Sequence, residues 1–184
     1  MESLQQQQQY SKRSNPNEPQ FFYIPESHFI IMSLITLGLF NTYWIYRNWK
    51  YIKEKDDLDI IPFWRAVFGL FFIHSLLNEI ANDNGLNKVD APTFSASVLA
   101  TGWVVMNVFG NVLARSENLS FGSIGILISI SSFIFLLPVQ NYIHHINKTA
   151  NQNLAYSPWS FGQTLCVMIG TPLLILALTG SFLS

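Results

Sequence analysis

Between Phe29 and Tyr51 the chain reads FIIMSLITLGLFNTYWIYRNWKY, an apolar run that closes in a crowd of rings and then in basic residues. That is the order of a helix leaving a membrane, because tyrosine and tryptophan collect at the lipid–water boundary. Further apolar runs follow, and about 20 helical residues cross a ~30 Å hydrocarbon layer. The pattern predicts spans over 29–46, 63–80, 94–114, 121–137 and 162–182. The expected fold is an all-α integral membrane bundle of about five transmembrane helices, with four as the alternative, occupying residues 27–184. Gly38 opens a second reading of the first run, in which the chain turns back as a re-entrant hairpin.

The boundaries carry their own signals. Lys50–Glu54, Lys53–Asp57 and Lys55–Asp59 are i,i+4 pairs that extend the first helix beyond the lipid. Pro62 suits the first turn of the second helix, and Asn82 to Gly85 reads as a turn. The fourth run ends at Pro138. Beyond it Val139, Tyr142, Ile143 and Ile146 fall at i, i+3, i+4 and i+7, with Gln140, His144, Asn147 and Lys148 on other faces, which predicts a short interfacial helix. Ser157-Pro158 marks the start of the last helix, and Gly170-Thr171-Pro172 a kink in it.

Composition sharpens this picture. Charged residues are 11% of the 184-residue chain, against about 25% in soluble domains. The exception is the start, where residues 1–26 include five consecutive glutamines, Gln5 to Gln9, and read as a disordered polar tail. No basic stretch followed by a short apolar core opens the chain, so the first apolar run is expected to act as its own insertion signal. A formal net charge of −1 gives no reason to expect a nucleic-acid partner. The expected partners are the lipid bilayer and either another membrane protein or a second copy of the chain. The single cysteine, Cys166, excludes an intramolecular disulfide and supplies no cysteine-based metal motif. Arg47, Lys50, Lys53 and Lys55 crowd the first loop, which the positive-inside rule assigns to the cytoplasm. The N-terminus is then expected outside and the C-terminus inside.

Ionisable residues within spans are costly and are functional candidates. Arg65 is read either as a side chain reaching phosphates at the cytoplasmic face or as a buried anchor. Asn107, Asn111 and Arg115 are spaced by four on one helix face, at a depth that Arg65 would share in an antiparallel neighbour. The expectation is that Arg65 hydrogen-bonds this asparagine face. His74 and Asn78 lie on one face of the second helix and either line a hydrated path or bond between helices. Together Arg65, His74, Asn78, Asn107 and Asn111 form the candidate intramembrane polar cluster. His144 and His145 are adjacent and point about 100° apart on a helix, so no metal site is expected, nor any cofactor. HExxH, GxSxG and phosphate-loop patterns are absent, and no catalytic residues are assigned. Gly125, Ser129 and Ser132, and separately Cys166 and Gly170, have the spacing of small residues that lets helix backbones approach, within the chain or across a homodimer seam.

Thr36-Leu-Gly-Leu-Phe40 and Tyr43-Trp44-Ile-Tyr46-Arg47-Asn48-Trp49-Lys50 form a T-x-G-L-[FY]-x-x-Y-W-x-Y-[RK]-N-W string. In this the chain resembles a family of small multi-pass bacterial membrane proteins of unknown function. The likeness continues in Pro62-Phe-Trp-Arg65-Ala66, in Leu137-Pro138-Val-Gln140 with Ile143, Ile146 and Asn147, and in Ser157-Pro-Trp159. It spans the membrane region but not the glutamine-rich tail. It implies a bacterial inner-membrane location and several helices, with no activity to carry over. The expected role is a non-enzymatic interaction or accessory protein of the envelope. A small transporter or channel component using the His74 and Asn107 faces is the alternative, and an intramembrane enzyme the second.

Overall fold

A computed structural model describes residues 18–82 and 92–182. Among them there is no strand, and the helices are α1 (Glu26–Ile35), α2 (Leu39–Asp56), α3 (Pro62–Val67), α4 (Gly69–Asn82), α5 (Ala96–Ala114), α6 (Leu119–Ser131), α7 (Leu137–Ala150) and α8 (Phe161–Phe182). Residues 1–17 of the expected tail, and residues 83–91 with most of the expected turn and Lys88, lie outside the described residues.

The expected first span, 29–46, is two helices. Leu37 (φ 51°) and Gly38 (φ 86°) both adopt left-handed backbone, which glycine accepts freely and leucine only under constraint. Thr36 organises the turn: its hydroxyl donates to the Met32 carbonyl at 2.7 Å and accepts from the Phe40 N–H at 2.9 Å. One side chain therefore closes α1 and caps α2. The ring of Phe29 lies 5.8 Å from that of Trp44, although a straight helix would separate them by about 22 Å. The run folds back on itself, as the Gly38 alternative describes.

The expected second span, 63–80, is also broken. Phe68 has ψ 35°, well outside helical values. Along α3 the chain approaches the tip of the first hairpin, with Arg65 stacked on Trp49 and Gly69 against Ile45. Along α4 it leaves again, Gly69 lying by Trp103 and His74 by Thr101. Two hairpin tips thus meet beside α5.

The α5–α6 hairpin is held by a seam of small residues. A Cβ on Gly125 would lie 2.3 Å from the Ala114 nitrogen, and one on Gly110 2.6 Å from the Ser129 nitrogen. The expected Gly125–Ser129 stripe is therefore an intramolecular seam. The outward face is aliphatic: Val98 is 65% exposed, Val112 64% and Leu127 63%. This inverts the usual order of a water-soluble helix pair, whose apolar stripe faces inward.

Instead of ending at Pro138, the chain passes through a 3₁₀ turn (Ser132–Leu136) into α7, where Pro138 sits in the first turn. Proline is tolerated there because its missing N–H would have had no helical partner. The expected interfacial face of Val139, Tyr142, Ile143 and Ile146 is buried in the core, and so are Gln140 and Asn147.

What buries those amides is the segment just before α1. Phe21, Phe22, Tyr23 and Ile24 are all buried, so the packed domain begins several residues earlier than the expected tail boundary at 26. Each backbone polar group threaded inside must find a partner. Phe22 N–H donates to Asn48 Oδ1 (3.1 Å), Gln20 N–H to Asn147 Oδ1 (3.0 Å) and Tyr23 N–H to Ser157 Oγ (3.1 Å). Gln140 Nε2 donates to the Ile24 carbonyl at 2.8 Å and its Oε1 accepts from Trp44 Nε1 at 2.8 Å. Asn48 and Asn147 work alike. Each amide NH₂ donates to the carbonyl four residues back on its own helix, and each oxygen faces this buried segment, the strap (residues 20–24).

The strap also fixes which ends lie together. Lys55 Nζ sits 5.0 Å over the Phe21 ring, and Arg47 Cζ 4.9 Å over Phe22. The strap and the first loop therefore lie side by side, whereas the sequence expectation set the N-terminus and that loop apart. Along α8, Gly162 abuts Tyr43 and Gly170 abuts Thr36, so α8 starts at the strap end and runs toward the tips.

Candidate functional site

The two tips and α5 enclose a cleft of about 320 Å³. The first tip contributes Leu37 to Leu39 with Asn41 and Thr42, the second Ala66, Val67, Gly69 and Leu70. Trp103, Asn107 and Asn111 of α5 and Ser129 of α6 complete it. Asn107 lies about 16 Å along α5 from Ala96 and about 10 Å from Ala114, at 1.5 Å per residue. The cleft therefore sits within the length of the helix.

Its polar groups are held in place from behind. Ser33 Oγ donates to Asn41 Oδ1 at 2.9 Å, and the Asn41 amide N–H groups have no acceptor among the described residues. Asn107 Nδ2 donates to the Trp103 carbonyl, and Asn111 Nδ2 is shared between the Asn107 carbonyl (2.8 Å) and Ser129 Oγ (3.3 Å). Both asparagine side-chain oxygens are left without a protein partner among the described residues. Trp103 is 6% exposed, and its indole N–H is buried without an acceptor among the described residues. No charged side chain lines the space.

The candidate polar cluster divides. Asn107 and Asn111 enter the cleft together. Arg65 does not meet them: its guanidinium stacks 4.3 Å over Trp49 and 5.4 Å from the Phe72 ring. Spacing along two helices gives a shared depth but not the direction in which a long side chain leaves. His74 Nε2 pairs with Thr101 Oγ1 at 3.1 Å, a bond between helices outside the cleft. Asn78 is exposed on α4. Sequence reasoning did not single out Asn41, Thr42 or Trp103; the signal for the first two was the Thr36–Gly38 turn, which places whatever follows it at a tip.

The basic residues of the first loop have separate partners. Arg47 Nη1 donates to the Tyr43 hydroxyl at 3.2 Å, Lys50 pairs with Glu54 at 3.7 Å and Lys53 donates to the Ile60 carbonyl at 2.7 Å. Lys55 caps the Phe21 ring. His144 packs against Tyr23 and Tyr156. Among the described residues no three histidine, cysteine, aspartate or glutamate side chains gather as a metal set would require.

Two helices, Ala96–Ala114 and Phe121–Thr149, are long and apolar enough to cross a membrane, with only 22% and 28% of their apolar windows buried. A core helix of a soluble protein would be mostly buried, so these two helices add a weak, composition-based indication of membrane association to a set of described residues whose regular structure is all helical. No family model, curated protein or solved structure matches the chain.

Proposed function

We propose that this is a multi-pass protein of the bacterial inner membrane that acts without catalysing a reaction, as an interaction or accessory protein of the envelope. The observation that carries it is the inverted α5–α6 pair, glycine inside and valine, leucine and phenylalanine outside. Lipid is the solvent in which that order is favourable, because aliphatic side chains gain nothing by leaving it and small residues give close backbone contact. The resemblance of the Thr36–Lys50 string supports the bacterial location. On this reading α5, α6–α7 and α8 cross the membrane while α1–α2 and α3–α4 enter and return. Broken helices at that depth are tolerated where they are buried in protein or line a cavity, and both breaks border the cleft. The basic residues Arg47, Lys50, Lys53, Lys55 and Lys148 gather at the strap end, so positive-inside placement puts the strap in the cytoplasm and the end of α8 outside.

A transporter or channel component is the second reading, favoured by the cleft alone, since discontinuous helices form substrate sites in many transporters. Cysteine scanning of Asn107 and Asn111 with water-soluble maleimides separates the two. Reaction at Asn111→Cys from both sides of the membrane favours transport; reaction from one side or neither favours the accessory role. Resistance to carbonate extraction tests the membrane location itself, and release of the protein into the soluble fraction would overturn it.

A further inference from the structure

The cleft at the hairpin tips combines three properties that together select a ligand. It presents free donors and free acceptors side by side among the described residues: the Asn41 amide N–H groups, the oxygens of Asn107 and Asn111, and the Thr42 hydroxyl. A hydroxyl is the group that both donates and accepts. The lining holds no charged side chain, so a phosphate or ammonium would enter without a counter-charge, at a cost of several kcal/mol. Leu39, Val67 and Leu70 of the same lining are exposed apolar side chains, so whatever bonds the polar groups also meets apolar surface. A volume near 320 Å³ lies at the small end of ligand sites, about 300–1,000 Å³. It accommodates a small hydroxyl-bearing head but not a pair of acyl chains.

We infer that the cleft binds the neutral, hydroxyl-bearing glycerol head of a diacylglycerol-type lipid, which enters sideways with its chains left outside against Leu39, Val67 and Leu70. The chains explain the exposed apolar part of the lining, and the free hydroxyl explains its mixed, uncharged polar part. The inference rests on the membrane reading given above.

Native mass spectrometry of the full chain in detergent tests it, with titrations of dioleoylglycerol, dioleoyl phosphatidic acid and free glycerol. The expected result is a saturable one-to-one adduct with dioleoylglycerol that both other probes fail to match. Thr42→Val and Asn111→Leu change exposed positions, and thermal unfolding of each variant in the same detergent checks that it is folded. Each should weaken the adduct about fivefold, the value of one ordinary hydrogen bond, whereas His74→Leu, outside the cleft, should leave it unchanged. Equal affinity in wild type and both cleft variants would overturn the site. Tighter binding of phosphatidic acid would overturn the neutral head, and free glycerol binding as well as the lipid would overturn the lipid source. Solubility without detergent would instead sink the membrane location, a result read separately from any adduct.

Discussion

The side-chain oxygen of Asn48 accepts the backbone N–H of Phe22 at 3.1 Å, across 26 residues of sequence, and both residues are fully buried. Asn48 thereby joins the middle of α2 to a segment that composition assigns to a tail. Replacing it by leucine keeps the branching and the number of side-chain heavy atoms but leaves the Phe22 N–H unpaired in the core. Asn48→Leu should cost about 1–3 kcal/mol, seen as a lower melting temperature in detergent and as faster amide exchange at residues 20–24. Unchanged exchange there would mean that the strap is held by its rings alone.

A second prediction concerns the α5–α6 seam. Gly125→Ala places a methyl group 2.3 Å from the Ala114 nitrogen, whereas at Gly122 the nearest atoms to a new Cβ are 3.7 Å away. Overpacking against backbone costs about 1–3 kcal/mol. Gly125→Ala should destabilise by that amount and Gly122→Ala should be close to neutral, measured by thermal unfolding in the same detergent. Equal losses would place the close approach elsewhere.

Arg65 and Asn107 should act independently. Arg65 stacks on Trp49 while Asn107 is tied to its own helix and the cleft. The double variant Arg65→Leu/Asn107→Leu should lose the sum of the single losses, within about 0.5 kcal/mol. Coupling larger than that would restore the arginine–asparagine contact. Arg65→Lys should not fully rescue Arg65→Leu, since lysine lacks the planar group that lies flat on an indole.

The strap should also loosen in alkali. Burial, and then the neighbouring Tyr156 phenol, push Tyr23 from 10.0 up to about 12. A tyrosine raised in this way lends the native strap its full stability below pH 10. That contribution fades as pH climbs from 10 toward 12, because the unfolded chain ionises first. Amide exchange at residues 20–24, corrected for its intrinsic base catalysis, should accelerate over that window in the wild type. Tyr23→Phe should lack this step.

How much of this was legible in the sequence differs from element to element. The helical class and the Gly125–Ser129 seam follow from apolar runs and small-residue spacing, which are local properties. Gly38 signalled the first break, but an apolar run on both sides of it fits a straight span equally well, and only the Phe29–Trp44 contact decides. Phe68 offered no signal, since nothing in its residue type marks a helix break. The strap was hidden because Phe21 to Ile24 is too short to show a period. Its partners Gln140 and Asn147 read as a polar face until the strap that satisfies them is in place. Of the candidate site, the Asn107–Asn111 spacing was visible, while the hairpin tips that turn it into a cleft depend on contacts far apart in sequence.

The central claim is that the chain enters and returns between the strap and the first loop. Ser27 and Glu54 are exposed, as is Glu117 in the turn between α5 and α6. In a Cys166→Ser background, single cysteines at these three positions can be labelled with a membrane-impermeant maleimide in intact cells and in inverted vesicles. The hairpin predicts that positions 27 and 54 react from the same side and position 117 from the other. Labelling of 27 and 54 from opposite sides would mean that residues 29–46 cross the membrane once, and would contradict the account.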